Sequence, residues 1–351
     1  MLPEWISLEC PATSERHRQS ALARQAQLTK PLGALGRLEE IAVELAALQA
    51  TDRPGAEWAP IILFAGDHGI AARGVSAYPP EVTVQMLHNF AGGGAAISVL
   101  ARTLGCPLEV VDAGTLGDQP IPGVIVDKPR RGTRDFGVET ALTSEEVAFA
   151  LACGQRAIAR QAEPKPQLVI LGEMGIGNTT SASAIAAALL GWPAAEIVGS
   201  GTGLDGEGRA RKARVIADAL ALHGLEVGTP VETVLAAVGG LEIVAMTGAI
   251  IAAARMGVPV LIDGFIVSVA ALAAVKLNPS CRPWLLFSHR SAELGHRVVL
   301  DALGARPLID LDLRLGEASG AATALPLLRL ACALHNEMAT FAEAAVSGRD
   351  S

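Results

Sequence analysis

Short apolar runs alternate with longer amphipathic segments along most of this chain, and this alternation limits the folds that it can adopt. Each run is three to five residues long, a length typical of strands, and lacks the polar alternation of a strand with one wet face. The runs are residues 61–65, 108–111, 124–126, 168–171, 258–262 and 284–287. The helical patterns between or after them are residues 80–104, 144–161, 179–190, 208–223, 241–256 and 291–303. This order predicts an α/β fold, a doubly wound parallel sheet with crossover helices on both faces.

The composition favours a small-molecule enzyme over a nucleic-acid or membrane protein. A formal net charge of -8 opposes non-specific attraction to nucleic acid and to anionic lipid. The five cysteines form no CxxC pair, and the N-terminus shows no secretory signal, so we expect a cytoplasmic protein. Residues 258–275 are the most membrane-like segment, but Asp263 and Gly264 interrupt them, which favours a buried strand followed by a buried helix.

The two ends of the chain predict a second, smaller helical unit. Residues 13–50 have a helical pattern broken at Lys30 to Gly33, which indicates two helices and a turn. A last Ala- and Leu-rich pattern runs from residue 320 to about residue 346 and could close a bundle with them. We therefore expect residues 1–55 and 320–351 to form a small helical domain and residues 56–319 to form the large α/β domain.

The sharpest candidate site is the glycine-rich segment 172–180, where a buried strand runs into a helix. Its glycines let the backbone approach a ligand, and the amides at a helix start favour an anion such as phosphate. The same pattern also fits a plain strand-to-helix turn with Asn178 or Thr179 as the helix cap. From the pattern alone, phosphate binding is the favoured interpretation.

A second glycine-rich segment, residues 199–206, contains GxGxxG, which is typical of dinucleotide-binding loops. The apolar run before it is only Ile197 and Val198, and no convincing second strand follows, so the dinucleotide interpretation is disfavoured. The charged residues that open the next helix are typical of a solvated face, with Lys212 as the candidate exception.

Two further segments place acidic side chains at strand ends. Asp67 and His68 could be a metal-ligand or acid–base pair, but no second cluster has ligand spacing, so we expect no metal. Glu317 lies between Gly316 and Gly320, where a carboxylate could enter an open pocket or merely cap the following helix. The residues alone leave these two roles for Glu317 equally open.

Together these segments resemble the nicotinate-nucleotide:dimethylbenzimidazole phosphoribosyltransferases, which make the nucleotide of the cobalamin lower ligand. Five ordered motifs carry the resemblance, which covers nearly the whole length. They are residues 30–39 (KPLGALGRLE), 66–69 (GDHG), 172–180 (GEMGIGNTT), 288–293 (SHRSAE) and 314–320 (RLGEASG). The resemblance implies a homodimer with a Rossmann-like large domain and a small domain built from both termini, acting on small-molecule substrates without a cofactor.

The resemblance also implies roles for particular residues. Glu317 matches the general base, and Glu173 and Lys212 match positions near the ribose and phosphate. The nucleotide site is expected at Gly175, Ile176, Gly177, Asn178, Thr179, Gly203 and Ser291. The base site is expected at Tyr78, Gln85, Leu315 and Gly316.

The implied chemistry is consistent with one carboxylate base. In nicotinate mononucleotide the ring nitrogen is a cationic pyridinium, so the base departs neutral and needs no acid. The attacking benzimidazole becomes cationic, and a carboxylate can accept its proton. A nucleotide-dependent dehydrogenase and a non-catalytic nucleotide sensor remain as alternatives, because a fold does not fix a function.

Overall fold

A six-stranded parallel sheet forms the centre of the computed structural model, which describes residues 2–199, 201, 203 and 205–347. The strands are β1 (Ile61–Gly66), β2 (Leu108–Gly114), β3 (Val124–Val126), β4 (Val169–Met174), β5 (Val260–Ile262) and β6 (Leu285–Phe287). Their order is β3-β2-β1-β4-β5-β6, and every neighbouring pair is parallel. In sheets of this order, ligands bind where the strand order reverses, here beyond β1 and β4. The predicted fold class is confirmed.

Helices connect these strands and extend the chain at both ends. They are α1 (Glu15–Gln27), α2 (Arg37–Gln49), α3 (Glu81–Ala91), α4 (Ala96–Leu104), α5 (Ser144–Arg160), α6 (Asn178–Leu190), α7 (Ala194–Ile197), α8 (Gly206–Leu222), α9 (Val231–Val238), α10 (Leu241–Arg255), α11 (Phe265–Leu277), α12 (Leu294–Ala302) and α13 (Ser319–Glu337). In the part of the chain that the structure describes, no helix is long and apolar enough to cross a membrane.

Both faces of the sheet are covered. All six residues of β1 are buried, although successive side chains of a strand point to opposite faces. Helix α10 is buried along nearly its whole length because it lies between α5 and the central strands. Small residues make this packing close: a side chain at Gly154 of α5 or Gly248 of α10 would collide with the backbone of the other helix. The Ala-rich composition therefore reflects helices packed tightly on a buried sheet.

Several boundaries differ from those predicted. The single pattern at residues 80–104 forms two helices, since α3 ends at Ala91 and α4 begins at Ala96. Helix α12 begins at Leu294 and not at Ser291, because Glu293 is extended and the Ser291 amide donates to the His296 ring at 2.8 Å. Helix α13 ends at Glu337, short of residue 346, because Met338 is extended. Helix α9 had no counterpart in the prediction.

The two ends of the chain meet as the helical patterns suggested. The Arg24 guanidinium of α1 donates to three carbonyl groups at the end of α13, those of His335, Asn336 and Met338. Helix α2 also packs against α13. The N-terminal part of α13 lies deep in the α/β unit, so this one helix joins both regions. The domain boundaries stay a prediction, and residues 348–351 lie outside the described part.

Candidate active site

A cavity of about 360 Å³ opens at the carboxyl edge of the sheet, beyond β4, β5 and β6. It includes the end of β4, one of the two strands between which the strand order reverses. Ten of the predicted site residues line it, although they come from four separate parts of the chain. These are Tyr78, Glu173, Gly175, Ile176, Asn178, Thr179, Ser291, Leu315, Gly316 and Glu317. The structure therefore brings the glycine-rich loop and the Glu317 loop to one site.

The glycine-rich loop is fixed by close backbone contacts between β4 and α6. A side chain at Gly175 would collide with the Gly66 carbonyl at the end of β1, so the loop lies against that strand. Gly177 has a φ of +96° and is the residue before α6, a conformation that favours glycine. The Ile176 amide donates to the Thr83 hydroxyl at 3.0 Å. The start of α6 is therefore held at the cavity, where its amides and dipole favour an anion.

Glu173 is a buried carboxyl group at the end of β4. Burial raises its pKa to about 8, and the negative charges of Asp263, Glu242 and Glu317 act in the same direction. The Asn178 side-chain amide and the Glu317 backbone amide both donate to it. Glu173 is therefore mostly protonated at pH 7, and a nearby cation would favour its ionised form.

Glu317 has an unusual backbone conformation. Its φ is +59°, and that of Ala318 is +66°, in a region that side chains other than glycine rarely adopt. Such conformations are found at functional sites more often than elsewhere. Glu317 is buried, and burial raises the pKa of its carboxyl group, while the Ile97 amide at the start of α4 opposes that effect. Its Oε2 has no hydrogen-bond partner within the described residues.

The structure excludes one of the two roles left open for Glu317, that of a cap for the following helix. Ala318 occupies the cap position of α13, and no side chain of that residue caps it. The Ala321 amide in the first turn instead donates to the Asp263 carboxylate at 2.8 Å. Glu317 therefore does not cap α13, and it is one of the residues that line the cavity.

Lys212 lies behind the residues that line the cavity and contacts one of them, Thr179. Its ammonium group donates to the Thr179 hydroxyl at 2.6 Å, and Thr179 lines the cavity. The side chain is only 1% exposed, so the solvated-face role does not apply to it. Burial lowers its pKa to about 8, and the Glu293 carboxylate opposes this shift.

Three other predicted residues lie outside the cavity lining. Gly177 is buried beneath the loop. Gly203 has a φ of +114° with open space around it, in the loop before α8. Gln85 is exposed on α3. Ser200, Thr202 and Leu204 of the same GxGxxG segment lie outside the described residues, and the segment follows the short helix α7 and not a strand.

Some residues at the cavity were not predicted. Asp263 and His289 follow β5 and β6, and Glu293 and Arg314 approach from the loops beyond β6. Met174 and Phe265 add apolar surface. The signal that could have identified Asp263 and His289 was their position just after a buried strand, the rule that was applied to Glu173.

Asp67 and His68 are engaged within the protein. His68 Nε2 lies 2.7 Å from Glu242 Oε1 in a fully buried pair, and Asp67 accepts from the Leu116 amide at 2.8 Å. Among the described residues, no group of three His, Cys, Asp or Glu side chains could hold a metal ion. These two residues therefore support the end of β1 beneath the glycine-rich loop.

Comparison with known proteins places this geometry in a family. A family model described as Phosphoribosyltransferase matches residues 10–346. A nicotinate-nucleotide–dimethylbenzimidazole phosphoribosyltransferase from Bradyrhizobium sp. (strain ORS 278) is 79% identical over 350 residues, covering 100% of both chains. One from Pseudomonas aeruginosa is 56% identical over 347 residues, covering 99% of both.

Solved structures agree with these relatives. The crystal structure of nicotinate-nucleotide–dimethylbenzimidazole phosphoribosyltransferase from Thermus thermophilus has a TM-score of 0.90 and 45% sequence identity, and the match covers 96% of this chain and 100% of that chain. A second structure from the same organism has a TM-score of 0.91 at 46% identity, covering 95% of this chain and 99% of that chain. The chain therefore belongs to the nicotinate-nucleotide:dimethylbenzimidazole phosphoribosyltransferase family.

Proposed function

We propose that the protein transfers the 5-phosphoribosyl group of nicotinate mononucleotide to 5,6-dimethylbenzimidazole, giving α-ribazole 5′-phosphate and nicotinate in cobalamin biosynthesis. The observation that carries the proposal is Glu317, which lines the same cavity as the glycine-rich loop and whose buried Oε2 has no hydrogen-bond partner among the described residues. A general base needs a free oxygen at the point where the proton is released.

The reaction asks little of the protein at the leaving group. The pyridinium of nicotinate mononucleotide departs as a neutral base, so no acid is needed there. The second ring nitrogen of dimethylbenzimidazole loses its proton as the first attacks C1′, and Glu317 accepts it. Attack from the face opposite the leaving group inverts C1′ and turns a β-nucleotide into an α-nucleotide.

Glu173 acts on the ribose carbon through its charge. Because positive charge lowers the pKa of a nearby carboxyl group, the cationic pyridinium ring of the substrate favours the ionised form of Glu173. Its negative charge then stabilises the oxocarbenium-like transition state at C1′. This role agrees with its burial, since a charge acts more strongly where water is excluded.

The phosphate binds at the start of α6. Gly175, Ile176, Gly177 and Asn178 form the loop, and Thr179 links it to the Lys212 ammonium. Ser291 approaches from the other side of the cavity, and Gly203 lies in the neighbouring loop. Helix-start amides and one cation suit a phosphate dianion.

The aromatic base lies towards the open side of the cavity. Tyr78, Leu315 and Gly316 line that side, and Tyr78 and Leu315 are 55% and 59% exposed. Gln85 remains a proposed contact, although it is exposed on α3 and does not line the cavity. We also propose that the chain forms a homodimer in the cytoplasm and has the domain division described above.

Chromatography of the reaction products tests this function. Incubation with nicotinate mononucleotide and dimethylbenzimidazole should release nicotinate and α-ribazole 5′-phosphate in equal amounts. Nicotinate riboside should be a much poorer substrate, because it lacks the phosphate. Binding of the nucleotide without nicotinate release would favour a sensor, and hydride transfer from a nicotinamide dinucleotide would favour a dehydrogenase.

A further inference from the structure

Asp263 lies directly beneath the loop that carries Glu317. It is the first residue after β5, is 2% exposed and lines the cavity. Its carboxylate accepts the Ala321 amide at 2.8 Å and also the backbone amides of Gly320 and Gly264. The Asp263 carboxylate therefore accepts three hydrogen bonds from backbone amides. Two of these amides belong to the first turn of α13.

The segment from Glu317 to Gly320 needs such an anchor because its backbone is strained. Two successive residues with positive φ are unfavourable in an isolated chain. They persist only when the surrounding structure holds both ends. Glu173 accepts the Glu317 amide at one end of this segment, and Asp263 accepts the Gly320 and Ala321 amides at the other.

The surroundings leave Asp263 little freedom to turn away. The His289 ring lies alongside, with Nδ1 at 3.6 Å from Asp263 Oδ1. A side chain at Gly320 would collide with that ring, and one at Gly264 would lie 3.3 Å from it. The Ser288 hydroxyl lies 3.1 Å from the same Nδ1 of His289, which also holds the ring in place.

We propose that Asp263 is a positioning residue that holds Glu317 in its strained conformation and so aims the base at the substrate. This inference rests on the proposed function, because it takes Glu317 to be the general base. Asp263 acts through the backbone of the first turn of α13, and it also places a negative charge near the base.

The charge of Asp263 gives the proposal a second readout. Asp263 raises the pKa of Glu317, so its removal should lower that pKa and let the base ionise at a more acid pH. Other charged groups also face this region from the neighbouring elements, and both Asp263 variants retain them. They are Glu173 and, behind it, Glu242, with His289, Glu293 and Arg314.

Two substitutions separate the backbone contacts from the charge. Asp263→Asn keeps one oxygen acceptor and removes the charge, so the acid limb of kcat/KM should move to lower pH. Asp263→Ala removes the acceptor as well, and kcat should fall by about 10²-fold, the effect of a misplacement of about 1 Å. The KM for nicotinate mononucleotide should stay near the parental value in both variants.

Asp112 provides a matched control. It is also buried, in β2, and does not line the cavity. Its carboxylate accepts hydrogen bonds from the Gly114 and Thr115 amides at 3.1 and 2.7 Å. Asp112→Asn should lower thermal stability. It should not move the acid limb of kcat/KM, measured per folded molecule.

The outcomes are distinct. Parental kcat and an unmoved acid limb in both Asp263 variants would overturn the positioning role, as would a rise in the KM for nicotinate mononucleotide at unchanged kcat. Absence of α-ribazole 5′-phosphate with the unmodified protein would instead refute the proposed function. A fall in kcat of about 10²-fold with Asp263→Ala, together with a limb that Asp263→Asn shifts and Asp112→Asn does not, would establish the role.

Discussion

The Glu317 backbone amide donates a hydrogen bond to the Glu173 carboxyl group, so the two acids of the site are linked although 143 residues lie between them. Gly316 makes this approach possible, because a side chain there would collide with the Glu173 carboxyl group. Its φ of +87° also favours glycine. A change in the charge of Glu173 therefore acts at the backbone of the base.

The raised pKa of Glu173 predicts a pH-dependent stability. An unfolded chain loses this proton near pH 4.5, whereas the folded protein keeps it until about pH 8. Between these values the folded state binds more protons, so its stability should fall as the pH rises. Glu173→Gln should flatten this fall, although other buried carboxyl groups leave part of it. Melting temperatures between about pH 5 and 8 test this, with the exposed Glu226→Gln as the control.

Gly172 gives a test of how closely β4 supports the base. A side chain at this position would lie 2.7 Å from the Ala318 amide nitrogen and 2.9 Å from the Glu317 carbonyl carbon. Gly172→Ala should therefore displace the Glu317 segment, lowering kcat by about 10²-fold and stability by about 1–3 kcal/mol. Gly206→Ala is the control, because nothing lies within 4 Å of a side chain there. Parental kcat in Gly172→Ala would show that the segment tolerates displacement.

Lys212 should matter for substrates that carry a phosphate. Lys212→Met keeps the length of the side chain and removes its charge. It should lower kcat/KM for nicotinate mononucleotide by about tenfold or more, since a charged hydrogen bond contributes about 1.5–3 kcal/mol. Nicotinate riboside should be nearly unaffected. Because the pKa of Lys212 is about 8, nucleotide affinity should also weaken above that pH. Equal losses for both substrates would remove Lys212 from the phosphate site, and Lys276→Met, at an exposed position near the end of α11, is the control.

The fold could be predicted from the sequence because burial on both faces leaves an unmistakable pattern. All six strands lie within a few residues of the predicted runs, since a central parallel strand must be apolar at successive positions. Helix α9 was missed because Val231–Val238 is short and its pattern does not separate from a strand. The start of α12 was wrong because the His296 ring, five residues on, binds the Ser291 amide.

Site residues could be predicted where the end of one strand contains a recognisable motif. They could not be predicted where loops distant in sequence come together. Glu173 and the residues after it lie in one continuous motif, so their proximity follows from the chain. Asp263 depends on β5 lying beneath α13, which only the packing of the whole sheet decides. Lys212 could be distinguished from its charged neighbours only by resemblance, because its burial arises from α8 packing against α6.

The KM for dimethylbenzimidazole can distinguish the roles of Tyr78 and Gln85. Tyr78 lines the cavity and Gln85 is exposed outside it. Tyr78→Ala should raise the KM for dimethylbenzimidazole several-fold, because it removes apolar contact area, and should leave the KM for nicotinate mononucleotide near the parental value. A comparable effect of Gln85→Ala would indicate that α3 or its loop moves over the cavity when the base binds.

Glu317→Gln is the sharpest test of the mechanism. The substitution keeps the shape of the side chain and removes its ability to accept a proton. We expect kcat to fall by about 10²- to 10⁴-fold, the usual contribution of a general base. Thermal stability and nucleotide affinity should stay near parental values, because the cap of α13 comes from Asp263 and not from Glu317.

The pH profile of this variant gives the second half of the test. In the unmodified protein kcat/KM should fall at acid pH as Glu317 takes up a proton, and burial moves this limb above the usual range of a glutamate. The limb should weaken or vanish in Glu317→Gln. Burial also raises the pKa of Glu173 in the same cavity, so Glu173→Gln is the matched variant and should retain the limb that Glu317 produces. Near-parental turnover in Glu317→Gln, with the limb lost in Glu173→Gln instead, would transfer the role of the base to Glu173.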